Sequence, residues 1–301
     1  KKIIGWTPMP QAGVSKDAVH QYWADRKNHL ATSWFEGRDV ILSPVNNAYM
    51  DYKFPGSPLG FREAIYSTKY QYDWDPSRVV DATTKKNLNT SFGLTEDDVQ
   101  GVEAAAWGET FLRGGEDVEY MLWPRTLGIA DKGWSTKADT TSFADFSQRA
   151  GAQGARMLVQ GQNFWNDPEL AWVSELAGTR VAAGSEGEVA GVVAQIASPR
   201  VPKGQLNATI TWPDGQTSAG VIDGKDALGA DAASLFTVTG SHTSAPSAAA
   251  GTGSVRVTGP AGLDITAPFI VEAEVVAPPV IALSASTIQA GSTVTVDATG
   301  L

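Results

Sequence analysis

Aromatic residues are distributed so unevenly along this 301-residue chain that it cannot fold as one uniform domain. Nine of the ten tryptophans and all seven tyrosines lie at or before Trp172, and only Trp212, Phe236 and Phe269 follow it. The remainder is rich in Ala, Gly, Thr, Val and Ser. A step of this kind marks a domain boundary, and the chain divides into residues 1–172, 178–276 and 280–301.

The first segment alternates short apolar runs with helical patterns. Strands are predicted at 2–6, 19–23, 39–43 and 101–107, short and not cleanly alternating, as strands buried on both faces are. Helices are predicted at 24–36, at 117–131 with Val118, Met121, Leu122, Arg125 and Ile129 near helical spacing, and at 142–158 with Ser142 as N-cap. Strand–helix alternation implies a parallel sheet, and four such units make half of an eight-fold barrel. The second segment reads as strands at 180–183, 189–198, 205–212, 217–222, 234–240, 253–258 and 269–276. Pro213-Asp214-Gly215 and Asp223-Gly224 are turns in which glycine takes a positive φ. Roughly seven short strands in about 100 residues suggest a β-sandwich. Ala277-Pro278-Pro279 is a stiff linker, and residues 280–301 look like the first two strands of a further sandwich.

The net charge of −10 argues against nucleic acid or an anionic membrane as partner, and leaves a neutral ligand such as a sugar open. Without cysteine, disulfides, thiol catalysis and thiolate metal sites are excluded. No apolar run reaches membrane-spanning length, and no metal or cofactor is expected. His20, His29 and His242 are too scattered for a metal site. Asp214, Asp223 and Asp226 near glycines are better explained by turns than by calcium. Both ends of the chain read as cut from a longer polypeptide.

The chemistry lies where the predicted strands end. In a (β/α)8 barrel those ends face the active site. Trp6 closes the first strand and Trp23 the second. The third leads through Ser43 into Tyr49-Met50-Asp51, and the fourth ends in Trp107-Gly108-Glu109. A pyranose stacks its C–H faces on aromatic rings, and its hydroxyls hydrogen-bond to carboxylates, so these strand ends suit a sugar. Each also has a plainer reading: core tryptophans, a loop-anchoring Tyr–Asp pair, and an acid at a helix N-terminus. Trp74 reads as a loop anchor.

Taken in order, Gly5-Trp6, Gln21-Tyr22-Trp23, Val40-Ile41-Leu42-Ser43 with Tyr49-Met50-Asp51, Tyr72-Asp73-Trp74-Asp75-Pro76, the run from Gly101 to Glu109, Tyr120-Met121 with Pro124-Arg125, and Gly161-Gln162-Asn163-Phe164-Trp165 resemble the landmarks of family 20 glycoside hydrolases, the β-N-acetylhexosaminidases. The resemblance covers about residues 1–172. It implies hydrolysis of terminal β-linked N-acetylglucosamine or N-acetylgalactosamine, as at chitin ends, by substrate-assisted retaining catalysis. Tyr49 would donate to the acetamido carbonyl and stabilise the oxazoline. Trp6, Trp23 and Trp107 would wall the site, and Asp51 and Glu109 would accept from the outer sugar hydroxyls.

The family's Asp–Glu pair, which holds the general acid, falls on a barrel strand ahead of Gly5-Trp6. Asp97-Asp98 and Glu116-Asp117 do not replace it, since both sit where helices begin. Where the family often carries Trp after Pro58-Leu59-Gly60, this chain has Phe61-Arg62-Glu63. The expectation is the second half of a (β/α)8 barrel followed by an immunoglobulin-like (PKD-like) β-sandwich, in a secreted or cell-surface bacterial protein. Its partners would be N-acetylhexosamine-terminated glycans and a missing N-terminal barrel half, and the chain alone would be inactive. The alternative is a non-catalytic carbohydrate-binding or spacer polypeptide. The tail, poor in aromatics, reads as a spacer unless Trp212 is exposed.

Overall fold

The computed structural model describes residues 2–6, 13–23, 39–60, 62–76, 96–111, 114–135, 142–224, 234–274, 280–283 and 296–299. It is a mixed α/β structure with two compact units. One holds residues 1–175 with 197–202 and 226–235; the other holds 176–196, 203–225 and 236–301.

In the first unit, β1 (Ile4–Trp6), β2 (Val19–Tyr22) and β3 (Val40–Leu42) are followed by the short helix α1 (Val45–Ala48). Next come β4 (Tyr52–Lys53), β5 (Arg62–Ile65), helix α2 (Thr68–Tyr72) and β6 (Val99–Val102). Strands β1, β2, β3 and β6 form a four-stranded sheet in that order, parallel throughout. All four residues of β2 are buried, as are Val40 and Leu42 of β3, the burial that parallel strands covered on both faces require. Tyr22, Val40 and Leu42 form one core cluster, with Trp74, Val99 and Val102 packed against it. His20 lies buried in β2. The helix expected at 24–36, with His29, lies outside the described residues.

Strand β6 carries a bulge. Val40 pairs with Val99 but Ile41 pairs with Gly101, so Gln100 is the extra residue. Gly101 has φ +158, a backbone setting that suits glycine. Past the bulge the chain stays beside β3. The Glu103 N–H donates to Leu42 O at 3.0 Å, and Ala105 bridges Tyr49 in parallel. Trp107 follows two residues later.

The helix expected at 117–131 is two helices, α3 (Gly115–Leu122) and α4 (Arg125–Trp134). Pro124 divides them because it has no N–H to give and its ring crowds the preceding turn. The helix expected at 142–158 likewise divides into α5 (Phe143–Gly151) and α6 (Gly154–Val159). Ser142 caps α5 as expected, accepting from Asp145 N at 3.3 Å. Met121, Ile129, Phe146 and Ala150 are buried. Trp74 packs on the Met50–Ile129 core, an anchoring position.

The second unit contains β7 (Glu175–Gly178), β8 (Arg180–Ala182), β9 (Glu188–Ser198), β10 (Asn207–Thr211), β11 (Thr217–Asp223), β12 (Ser234–Thr243), helix α7 (Pro246–Ala249), β13 (Gly251–Thr258) and β14 (Asp264–Glu272). The strands are linked in the order β7-β9-β12-β11-β10-β13-β14-β8. Strand β7 was not expected from sequence. Strand β11 changes partner midway: Thr217–Gly220 pair antiparallel with β10, and Val221–Asp223 pair antiparallel with β12. At the far end, β14 pairs with β8 in parallel. Alternate residues of β13 and β14 are buried, the period-two pattern of a sheet with one covered face. Trp212 is buried and donates from Nε1 to Ser218 Oγ at 2.9 Å, so it offers no stacking face to a sugar. Asp214 Oδ1 accepts from Gln216 N and Asp223 Oδ1 from Gly224 N, the turn chemistry expected of them; Asp226 lies outside the described residues. Residues 280–283 and 296–299 form an antiparallel pair.

Candidate functional site

Five of the six residues named from sequence meet at one hollow. Trp6, Trp23, Tyr49, Trp107 and Glu109 line a cavity of about 330 Å³. Each is delivered by the end of a parallel strand or the segment just past it. Trp6 is the last residue of β1, and Trp23 directly follows β2. Tyr49 follows α1 after β3, and Trp107 and Glu109 follow β6. Strand ends that share a direction bring their side chains to one edge of the sheet.

The rings form a chain of contacts. Trp6 and Trp107 centroids lie 6.2 Å apart, Trp107 and Tyr49 6.1 Å, and Tyr49 and Trp23 6.4 Å, at tilts of 33–50°. Such tilted pairs within about 7 Å are mutually stabilising. Trp6 is 37% and Trp107 40% exposed, whereas Tyr49 is 3% exposed. The tryptophans therefore present open faces, and the phenol sits deeper. Glu109 occupies a short 3-10 turn, Gly108–Thr110, and is exposed. Four rings with one carboxylate can stack the apolar side of a pyranose while the phenol donates and the carboxylate accepts.

Asp51 is the exception. It is 1% exposed and is not among the cavity-lining residues. It lies in the field of Arg125, a residue itself 2% exposed. Arg125 Nη1 donates to Tyr52 O at 2.7 Å, and its charged carbon stands 3.4 Å from the Phe54 ring centroid. Burial pulls the Arg125 pKa down to about 9, and Asp167 and Asp51 work against that fall.

The backbone of Tyr49 is pinned from two sides. Met50 N donates to Ala105 O and Ala105 N to Ala48 O, each at 2.8 Å. Gln71 Nε2 donates to Tyr49 O, also at 2.8 Å. Sequence reasoning did not give Gln71 a role, and named Arg125 only as a landmark. Both act on carbonyls remote in sequence, which no local pattern announces. Glu116 and Asp117 lie in the first turn of α3, the helix-start position expected of them, whereas Asp97 and Asp98 end a 3-10 turn, Glu96–Asp98, that leads directly into β6 rather than starting a helix. Phe61 lies outside the described residues. Among the described residues, no helix is long and apolar enough to cross a membrane.

Comparison with known proteins bears on the same stretch of chain. The β-N-acetylhexosaminidase of Cellulomonas fimi is 30% identical over 177 residues, covering 57% of this chain and 33% of that protein. The β-hexosaminidase of Vibrio vulnificus is 30% identical over 125 residues, covering 38% of this chain and 14% of that protein. The chain thus spans a third or less of the length of these curated relatives. Residues 1–137, which supply every described residue lining the cavity, match the glycosyl hydrolase family 20 catalytic domain.

Proposed function

We propose that this chain is the sugar-recognition half of a β-N-acetylhexosaminidase acting on terminal β-linked N-acetylglucosamine or N-acetylgalactosamine. The observation that carries this is the single cavity where Trp6, Trp23, Tyr49, Trp107 and Glu109 meet. Trp6, Trp23 and Trp107 wall the sugar and its acetamido group. Tyr49 donates its phenol to the acetamido carbonyl oxygen, which attacks the anomeric carbon in a substrate-assisted, retaining reaction. Holding that internal nucleophile in an attacking geometry is worth several kcal/mol of barrier. Glu109 accepts from an outer hydroxyl. Asp51 is the second acceptor; nearly closed off from solvent, it is reached by a hydroxyl only if the site opens as the sugar enters.

The general acid and the aspartate beside it come from outside these 301 residues, on the other half of a (β/α)8 barrel. The parallel order β1-β2-β3-β6 supports this reading. Residues 178–276 act as an immunoglobulin-like spacer. The switch of β11 between two partners supports a sandwich, because a strand that changes sheet is one way to turn a corner between two layers. A secreted or cell-surface setting, where glycan chain ends are met, fits this activity.

Titration of the 301-residue chain with N-acetylglucosamine, followed by tryptophan fluorescence, tests the site. Saturable quenching is expected, weakened about tenfold or more in Glu109→Gln by loss of a charge-assisted hydrogen bond. No release of chromophore from a chromogenic N-acetylglucosaminide is expected from this chain alone. Failure to bind the sugar would overturn the sugar-site assignment. Turnover that disappears in Glu109→Gln would show that the proton donor lies within the chain.

A further inference from the structure

We propose that Gln71 is a positioning residue for the sugar site, its buried carboxamide fixing the backbone of Tyr49 and hence the direction of the phenol. This rests on the function proposed above, which assigns that phenol to the acetamido group.

In the parallel bridge between Tyr49 and Ala105, the bonds are made by the flanking groups Ala48 O and Met50 N. The carbonyl of Tyr49 itself is directed away from that partner, as ladder geometry requires. Gln71 meets it there. The glutamine is 2% exposed, and its Nε2 donates to Tyr49 O at 2.8 Å. Its Oε1 is buried and, among the described residues, has no hydrogen-bond partner. That asymmetry fixes which way the amide faces, because turned over it would set acceptor against acceptor. An amide left half-satisfied in a core is less favourable than an apolar side chain of the same size. The bond to Tyr49 is the compensation visible for it.

The element carrying Gln71 is itself held. At the start of α2, Ser67 Oγ accepts from Tyr70 N at 3.2 Å. Thr68 donates from both N and Oγ1 to Asp167, and Lys69 N donates to Glu169 Oε2 at 3.2 Å. The donor is therefore presented from a fixed support, the arrangement that keeps a site side chain within the narrow tolerance recognition needs.

The test compares N-acetylglucosamine with glucose, which lacks the acetamido group, by fluorescence titration of the full chain. Wild type is expected to prefer the acetamido sugar. Gln71→Met removes the donor at similar volume, and Gln71→Glu keeps the shape but exchanges the donor for an acceptor. Each is expected to reduce the preference about fivefold or more, the effect of one neutral hydrogen bond, while glucose affinity stays unchanged. Glucose binding also reports whether each variant has folded. Preference retained in both variants, or equal losses for both sugars, overturns the positioning role. A wild-type chain that shows no preference overturns instead the assignment of Tyr49 to the acetamido group.

Discussion

Arg125 is a full charge kept out of water, and its surroundings explain why the chain tolerates it. Its Nη1 satisfies the Tyr52 carbonyl, its plane lies over Phe54, and Asp167 and Asp51 supply opposing charge. Removing one member of a buried charged group leaves the others uncompensated, which costs about 3–5 kcal/mol. Arg125→Met is accordingly expected to lower the free energy of unfolding in urea by about 3 kcal/mol. A loss below about 1 kcal/mol would mean that the carboxylates had found other partners or taken up protons. At this scale the sequence showed which residue types could bind a sugar, because a ring at a strand end is a local fact. It did not show that Asp51 would be enclosed or that Gln71 would grip Tyr49, since those depend on chain segments 22 and more residues apart.

Elements are tied together by the side chains on their surfaces. Asp131 on α4 accepts from Arg149 of α5 at 2.7 Å and from Tyr72 of α2 at 2.9 Å. Burial pushes the Asp131 carboxyl up, but the hydrogen bonds from Arg149 and Tyr72 outweigh it and hold the pKa below the ordinary 3.8. A folded pKa below the unfolded one contributes stability that is present above about pH 4 and is lost as pH falls through the folded value. Arg149→Met should therefore cost about 1 kcal/mol at pH 7, discounted for the half-exposed arginine. The difference from wild type should shrink below pH 4 in acid denaturation curves. A difference independent of pH would locate the effect in packing. Boundaries of elements were only partly legible. The apolar spacing carried straight through Pro124, but the backbone could not, so one expected helix became α3 and α4. Ser142, a capping residue acting within its own turn, was readable from sequence alone.

The whole molecule divides into two compact units, one built on a parallel sheet and one on an eight-strand array. The second has its own buried interior, including Ile210, Trp212, Phe236, Val238, Val255 and Phe269. Residues 176–274 expressed alone should unfold in a single cooperative thermal transition, as a unit with its own core does. A gradual, non-cooperative melt by circular dichroism would show that this core is insufficient. The sequence by itself determined where aromatic chemistry stops and, to within a few residues, which segments become parallel strands, because composition and periodicity are properties of neighbouring residues; the strand read at 101–107 lies at Val99–Val102, so Trp107 stands past its end. Only the tertiary structure decided that Trp6, Trp23, Tyr49, Trp107 and Glu109 share one cavity, that Asp51 and Trp212 are enclosed, and that β11 divides its pairing between two strands. Those outcomes come from packing and hydrogen bonding between distant segments, where burial and partner geometry are settled together.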